Sequence, residues 1–548
     1  MKKTKHFINL KDALRTLAGA ARLWTRENRE PPARGTKEPL RVKAPLALMI
    51  VCLGGCASLH PPAAPAVPAT APGTGRAAAA AELERAQSLV GAAQWPQADA
   101  ALRGLLAGRQ FGQLDPTQQH LTLSLAALAA LQNGDARRAL ALSQRACALP
   151  GNDARDWFTR MRAATSAADP RDAVLALTAL AQRWPQVLAR LQVYGPIEQV
   201  VRNSLDGVPD AERYELLAAL HKIKFLDEPR AAGEWWREFT LLQLARGERM
   251  SAAQTLARIS DPYVIISIEA DRRFDALRAE PNILVSVHQA AEESIQSELR
   301  YAQLTPDRLE PMNHLAAILI NCVRAQQALS VTDAAIEQLV QHGRGAWSDY
   351  DLEYPDILNN RANALYSLGR YQAAVTQLDA ASRLGAHPDA NVSQLINLAE
   401  MYNDLEQPRE AEQTLARVSP AQLSAFGVMQ MQKEKLRAAL GLHDDKGAAL
   451  ALEFLRSHRQ DALGAYQEAL LYTHRDDEGA ALLITRLREP RLRSAALMAV
   501  QTYAEDAEPA SVLAKQARWR ELIQREDVQQ AVSGVGRIAR YPLLQGDY

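Results

Sequence analysis

The chain has 548 residues, enough to bury a core either as two or three globular units or as one extended array. Lysine plus arginine and aspartate plus glutamate both total 63, so there is no net field to draw the chain to nucleic-acid phosphates, which argues against a nucleic-acid partner. Aromatics are 5% and alanine, leucine, arginine and glutamine dominate, which favours an all-α fold; the four cysteines (Cys52, Cys56, Cys147, Cys322) lack Cys-x-x-Cys spacing and nearby histidines, so neither zinc nor redox chemistry is indicated.

In chain order, the first feature is an apolar run at 44–53 (APLALMIVCL), with Arg41 and Lys43 before it and Gly54-Gly55-Cys56 after it. Such a run is too short for a membrane-spanning helix, which needs about 20 residues, but suits the apolar core of a secretory signal. Leu53-Gly54-Gly55-Cys56 resembles the bacterial lipobox, whose cysteine is diacylated and becomes the mature amino terminus; glycine at 54 departs from the residues usual there. The resemblance implies lipidation at Cys56, and Ala57, which is not aspartate, implies the outer membrane. More than 40 residues precede Cys56, and translation from Val42 would give a compact leader. Residues 57–78 are Pro/Ala-rich, and the 21 residues of 60–80 would reach on the order of 60 Å as an extended tether. The competing reading is a short buried segment in a cytoplasmic protein.

From about residue 79 a pattern recurs: a helix with small residues on one side, a Gly/Asp-containing turn, and a second helix with an early alanine and an apolar residue four later. Alanines at 98, 139, 173, 252, 328, 374, 411, 448 and 480 anchor nine units, and the two long gaps between anchors leave room for diverged units near Ala211 and Ala291. Small residues let two helix axes approach, leucines fill the seam, and glycine or proline ends the helices. Trp157, Ala164, Ala173, Leu177 and Pro185 fit the tetratricopeptide signature in a unit of about 34 residues, although Arg160 and Met161 replace its usual Leu-Gly. The chain thus resembles that family over most of 79–490. The resemblance implies tetratricopeptide-type helix-turn-helix repeats stacked into a right-handed α-solenoid, with first helices lining an inner groove that binds protein or peptide partners. An irregular α-bundle is the alternative.

Residues 272–287 (RRFDALRAEPNILVSV) and 519–532 (WRELIQREDVQQAV) share an aromatic, a leucine three residues on, and a charged turn before another apolar helix. They read as terminators of two blocks, 79–290 and 300–490, the second followed by a C-terminal helical cap at 491–548.

No catalytic motif is present: no H-E-x-x-H, no G-x-S-x-G, no phosphate loop and no dinucleotide fingerprint. Glu293-Ser294 superficially resembles the Glu-Ser of lytic transglycosylases, but no catalytic-domain sequence follows it. His443-Asp444-Asp445 and His474-Arg475-Asp476-Asp477 could suggest metal. Their matching text DDKGAA and DDEGAA recurs 32 residues apart, which assigns both to repeat turns, so no metal or cofactor is expected. Cys147 and Cys322 read as buried free thiols.

Positions one and two turns along the first helix commonly contact ligand in tetratricopeptide proteins. Here the resemblance places Asn359, Asn363 and Tyr366 in one unit and Ile396, Glu400 and Asn403 in the next; asparagine amides suit capture of an extended peptide backbone. The competing and simpler reading is that they are solvated polar groups. The insertion at 343–354 (GRGAWSDYDLEY) is either a loop packed by Trp347 or a contact patch. The resulting expectation is a non-catalytic lipoprotein scaffold facing the periplasm in envelope assembly. A cytoplasmic adaptor without lipid and an envelope enzyme with an unrecognised site are the alternatives.

Overall fold

The computed structural model describes residues 75–545 apart from 191–193, 206, 226–232, 279–284 and 385–390. The leader, Cys56 and most of the Pro/Ala-rich stretch lie outside the described residues. Contacts divide the chain into two compact units, one running to Asp227 and including Leu242–Gly247, the other formed by Glu228–Leu241 and Glu248 onward. Among the described residues the secondary structure is helical, with two isolated β-bridges. No helix among them is long and apolar enough to cross a membrane.

The first unit contains α1 (Gly75–Gly91), α2 (Trp95–Ala107), α3 (Pro116–Gln132), α4 (Ala136–Ala148), α5 (Ala154–Ser166), α6 (Pro170–Arg183), α7 (Pro185–Arg190), α8 (Tyr194–Asn203) and α9 (Asp210–Lys222). Helix starts are written locally. Asp115 accepts from the Gln118 amide in a capping box ahead of Pro116, and Asp169 accepts from the Asp172 amide ahead of Pro170. The seam is alanine-rich, with Ala86, Ala98, Ala126, Ala130 and Ala139 fully buried beside Leu102. Trp157 donates to Asn152 at 2.9 Å, and the Arg160 and Arg183 guanidiniums lie 5.1 and 5.5 Å from its ring.

After α10 (Gly233–Ala245), the chain continues through α11 (Arg249–Leu256), α12 (Pro262–Ala270), α13 (Asp275–Arg278) and α14 (Val287–Leu304). Five hairpins of the second unit follow: α15–α16 (Glu310–Asn321, Ala325–His342), α17–α18 (Tyr350–Ser367, Tyr371–Ser382), α19–α20 (Val392–Asp404, Pro408–Leu415), α21–α22 (Ala425–Gly441, Asp445–Ser457) and α23–α24 (Leu463–Tyr472, Asp476–Arg488). The chain ends in α25 (Arg493–Ala499), α26 (Ala510–Ile523) and α27 (Glu526–Val535).

All nine anchor alanines are buried. Eight occupy the fourth residue of the second helix of their hairpin, and Ala480 occupies the fifth. The turns are equally regular. A residue with left-handed backbone stands two positions before each of these helices: Ala93, Gly134, Ala168, Gly247, Val323, Gly369, Glu406, His443 and His474. In most of them the next amide returns to the first helix's last turn, as in Asp135 to Ala130, Arg370 to Leu365 and Asp444 to Ala439, each at 2.9 Å. These bonds satisfy carbonyls that the helix end would orphan. His443 and His474 are thus paired turn positions, and Asp444 caps α22 by accepting from the Gly447 amide at 3.0 Å.

The anchor proposed near Ala211 fails because that residue is exposed in the first turn of α9, whose packing rests on Leu216, Leu217 and Leu220. Ala291 is buried in α14. Trp347 is buried in the α15–α18 core, and Asp349 accepts from the Leu309 amide at 2.8 Å and the Glu310 amide at 3.1 Å. The 343–354 segment is therefore stapled to the start of α15. Cys147 is buried and Cys322 half-buried, both free; burial raises the thiols to about 12 and about 11.

The flanks of the two terminator-like segments, at 270–272 and 533–537, meet inside the second unit. The Arg272 guanidinium donates to the Ser533 carbonyl at 2.9 Å, the Arg537 amide to the Ala270 carbonyl at 2.9 Å, and Asp271 bridges Gly536. Ala270 shares a core with Leu497, Leu522, Val528 and Val532. The tail then runs back past α12 and α15, where the Leu544 amide donates to Asn321 at 2.8 Å and its carbonyl accepts from the Tyr263 hydroxyl at 2.9 Å.

Candidate interaction site

The first helices of the second unit's hairpins carry polar side chains linked from one repeat to the next. Asn313 on α15 donates to Glu353 on α17 at 3.0 Å, Gln394 on α19 to Asp356 at 2.8 Å, and Asn397 to Asn359 at 3.0 Å. Toward the last turns the links become ionic. The Tyr366 hydroxyl donates to Asp404 at 3.0 Å, and Arg437 on α21 donates to Asp404 at 2.5 Å and to Glu434 at 3.0 Å. Lys433 stands 3.3 Å from Glu400, 3.2 Å from Glu434 and 3.7 Å from Glu468 on α23. The cluster is completed from outside the repeats by Lys515 of α26, 3.4 Å from Glu468.

Burial makes these pairs consequential. Glu434 is fully buried and Lys433 nearly so, and neither charge would persist there without its partners. Lys433's attraction outweighs burial and lowers the Glu400 carboxyl. At Glu468 burial works upward, but Lys433, Lys515 and Arg437 together hold the carboxyl down to about 2. Glu400 and Glu468 keep 40% and 35% of their side-chain surface, so water screens both pairs. Glu508, just before α26, goes the other way: burial first, then Asp404 and Asp506, raise it to about 7.

Of the six residues expected to face a ligand, Ile396 is instead buried in the α19–α21 core, and the other five, on α17 and α19, differ in access. Asn359 and Asn363 are half-buried on α17, with Asn359 accepting from Asn397. Tyr366 is engaged by Asp404 and Glu400 by Lys433. Asn403 is buried, and its amide donates to the Glu434 carboxylate at 2.9 Å and to its carbonyl at 3.0 Å. Sequence reasoning missed Asp404, Lys433, Glu434, Arg437, Glu468 and Lys515. The available signal was opposite charge at one repeat's distance: Glu400 with Lys433, and Asp404 with Arg437, are both 33 residues apart. Lys515 carried no such signal. Among the described residues, no group of three or more histidines, cysteines or carboxylates could hold a metal ion.

The anchor alanines, left-handed turns and repeat-to-repeat links decide the architecture. These hairpins have the helix-turn-helix repeat form that the sequence resemblance implies. No protein-family model matches the chain, and no curated protein matches it. Among solved structures, the tetratricopeptide domain of P58(IPK) is similar at 14% identity, covering 75% of this chain and 100% of its own, with a TM-score of 0.20. A Rap protein complexed with competence and sporulation factor is similar at 13% identity, covering 74% and 99%, with a TM-score of 0.31. Yeast Tom70 is similar at 12% identity, covering 82% and 98%, with a TM-score of 0.28. The repeat architecture rests on this chain's own hairpins.

Proposed function

We propose that this protein is a non-catalytic scaffold for protein–protein interaction, using the repeat surface of its second unit, and that it is held to the outer membrane by lipid on Cys56, facing the periplasm. The observation that carries the scaffold reading is the row of first helices from α15 to α23, whose polar side chains recur at repeat spacing and pair with one another. Such a row presents polar side chains along which a partner's extended or helical segment can lie. The buried charges of the row, Lys433, Glu434 and Arg437, are committed to ion pairs with one another and with their neighbours. Membrane attachment rests on the apolar run, the lipobox-like Leu53-Gly54-Gly55-Cys56 and the Pro/Ala-rich tether.

In-cell cross-linking of the full chain, followed by mass spectrometry, tests the scaffold reading: cross-links from α15–α23 to another protein are expected. Turnover of a substrate abolished by a point mutation in that row would overturn it. Metabolic labelling with a clickable fatty acid tests the anchor, and label retained by Cys56→Ala would exclude it.

A further inference from the structure

The row of first helices is already partly covered, by the chain itself. Between Ala504 and Arg520 the tail crosses the last turns of α17, α19 and α23, with Ala507 beside the Gly369 turn, Ser511 donating to the Asp404 carbonyl, and Lys515 facing Glu468. This stretch is secured at both ends. At its root the Thr502 amide donates to Ala539 at 3.0 Å and the Ala504 amide to Leu543 at 2.8 Å. At its far end Trp519 donates to the Ala499 carbonyl at 3.0 Å, and Leu522 and Ile523 are buried. Between these anchors little apolar surface holds it: the buried residues of α26 are those same two, and Leu513 is 46% exposed. Detachment of the middle would leave both anchors in place.

What the middle covers has a definite chemical demand. Without Lys515, the cluster sets the carboxylates of Glu400, Asp404, Glu434 and Glu468 against Lys433 and Arg437. Its unmet hydrogen-bonding capacity includes an acceptor: Asn403 Oδ1 is buried without a hydrogen-bond partner. The Asn403 amide cannot turn to correct this, because its nitrogen is committed to Glu434. A surface with surplus negative charge and a spare acceptor favours a donor-bearing cation.

Resting on the scaffold reading, we infer that the 504–520 stretch is a ligand in cis, latched by Lys515, and that the partner's segment which replaces it is basic, presenting a lysine or arginine to Glu468 and Glu400. Free and latched states then compete, and the apparent affinity for the partner is reduced by the fraction of molecules whose stretch is seated.

The test uses the full chain and a labelled synthetic peptide of residues 507–520 (AEPASVLAKQARWR), with a second peptide carrying glutamate in place of its lysine. Fluorescence anisotropy should show the first peptide binding Lys515→Ala about tenfold more tightly than wild type, a gain of about 1.4 kcal/mol. Lys515→Arg should restore the wild-type value, and Glu468→Gln combined with Lys515→Ala should lose the gain. Hydrogen exchange within 505–516 should be faster in Lys515→Ala, with the rest of α19–α24 unchanged, which separates unlatching from misfolding. Equal binding to wild type and Lys515→Ala, or equal binding of the two peptides, would overturn the inference. A cross-linked partner recovered equally by wild type and Lys515→Ala would also overturn it while leaving the scaffold intact, whereas recovery by neither would overturn the scaffold itself.

Discussion

The Arg537 guanidinium donates to the Glu269 carbonyl at 2.9 Å across 268 residues of sequence, and its other arm reaches Asp275 at 2.6 Å. The neighbouring Gly536 makes this approach possible. A β-carbon there would stand 2.5 Å from the Ala270 carbonyl oxygen and 2.5 Å from a Leu497 methyl. Gly536→Val should therefore destabilise the second unit by about 2–3 kcal/mol, read from the urea midpoint, and Gly534→Val, where nothing stands within 4 Å, should cost little.

Val323 holds a left-handed backbone (φ 59°) in the turn between α15 and α16, and it is 41% exposed. A β-branched side chain is strained there and makes little packing to compensate. Val323→Gly should raise stability by about 1 kcal/mol in thermal or urea unfolding. The same change at Gly369's neighbour Leu368, which has an ordinary backbone, should lower it.

The alanine anchors set how closely paired helices approach. Ala374 is fully buried at the α17–α18 seam, whereas Ala373 is exposed on the other side of the same helix. Ala374→Leu should cost about 2–3 kcal/mol by forcing the pair apart, and Ala373→Leu should lie within about 0.5 kcal/mol of wild type. Urea titrations of the two variants decide it.

Glu508 retains its proton in the folded chain up to about 7, against the usual 4.5. Between those values the folded form binds the proton that the unfolded form has lost, so this contribution is complete below 4.5 and fades as pH rises through 7. Ionised Glu508 then meets Asp404 of α19 and Asp506 of its own stretch, with Tyr366 and Lys515 as the favourable neighbours. Hydrogen-exchange protection of 505–515, corrected for the intrinsic rate, should fall about tenfold from pH 5 to pH 8, and Glu508→Gln should flatten that profile.

Much of the fold was legible because repeat packing is written in short-range text. Each anchor alanine, the glycines at 134, 247 and 369, and caps such as Asp115-Pro116 and Asp169-Pro170 act within a single hairpin. The ion cluster was harder to read because its members sit on separate helices, and a charged residue on a helix is ordinarily solvated. Tyr366, Glu400 and Asn403, named from the sequence, are members of this cluster, but the sequence did not disclose their partners. The similar text of 272–287 and 519–532 gave no sign that their flanks touch, since a main-chain bond such as Arg537 to Ala270 leaves no mark on residue identity. Lys515 was equally silent, being one lysine in a helix whose docking depends on where the tail is tied.

The seam between Asp271 and Gly536 bears on cooperativity. An open stack of repeats frays from its ends and tolerates the gain or loss of a unit, because each repeat answers only to its neighbours. Tying the start of the second unit to its finish removes the free ends. Inserting or deleting one hairpin would then strain the closure as well as the local packing, so the number of repeats becomes a constraint in its own right, and the unit should melt as one body instead of unravelling repeat by repeat.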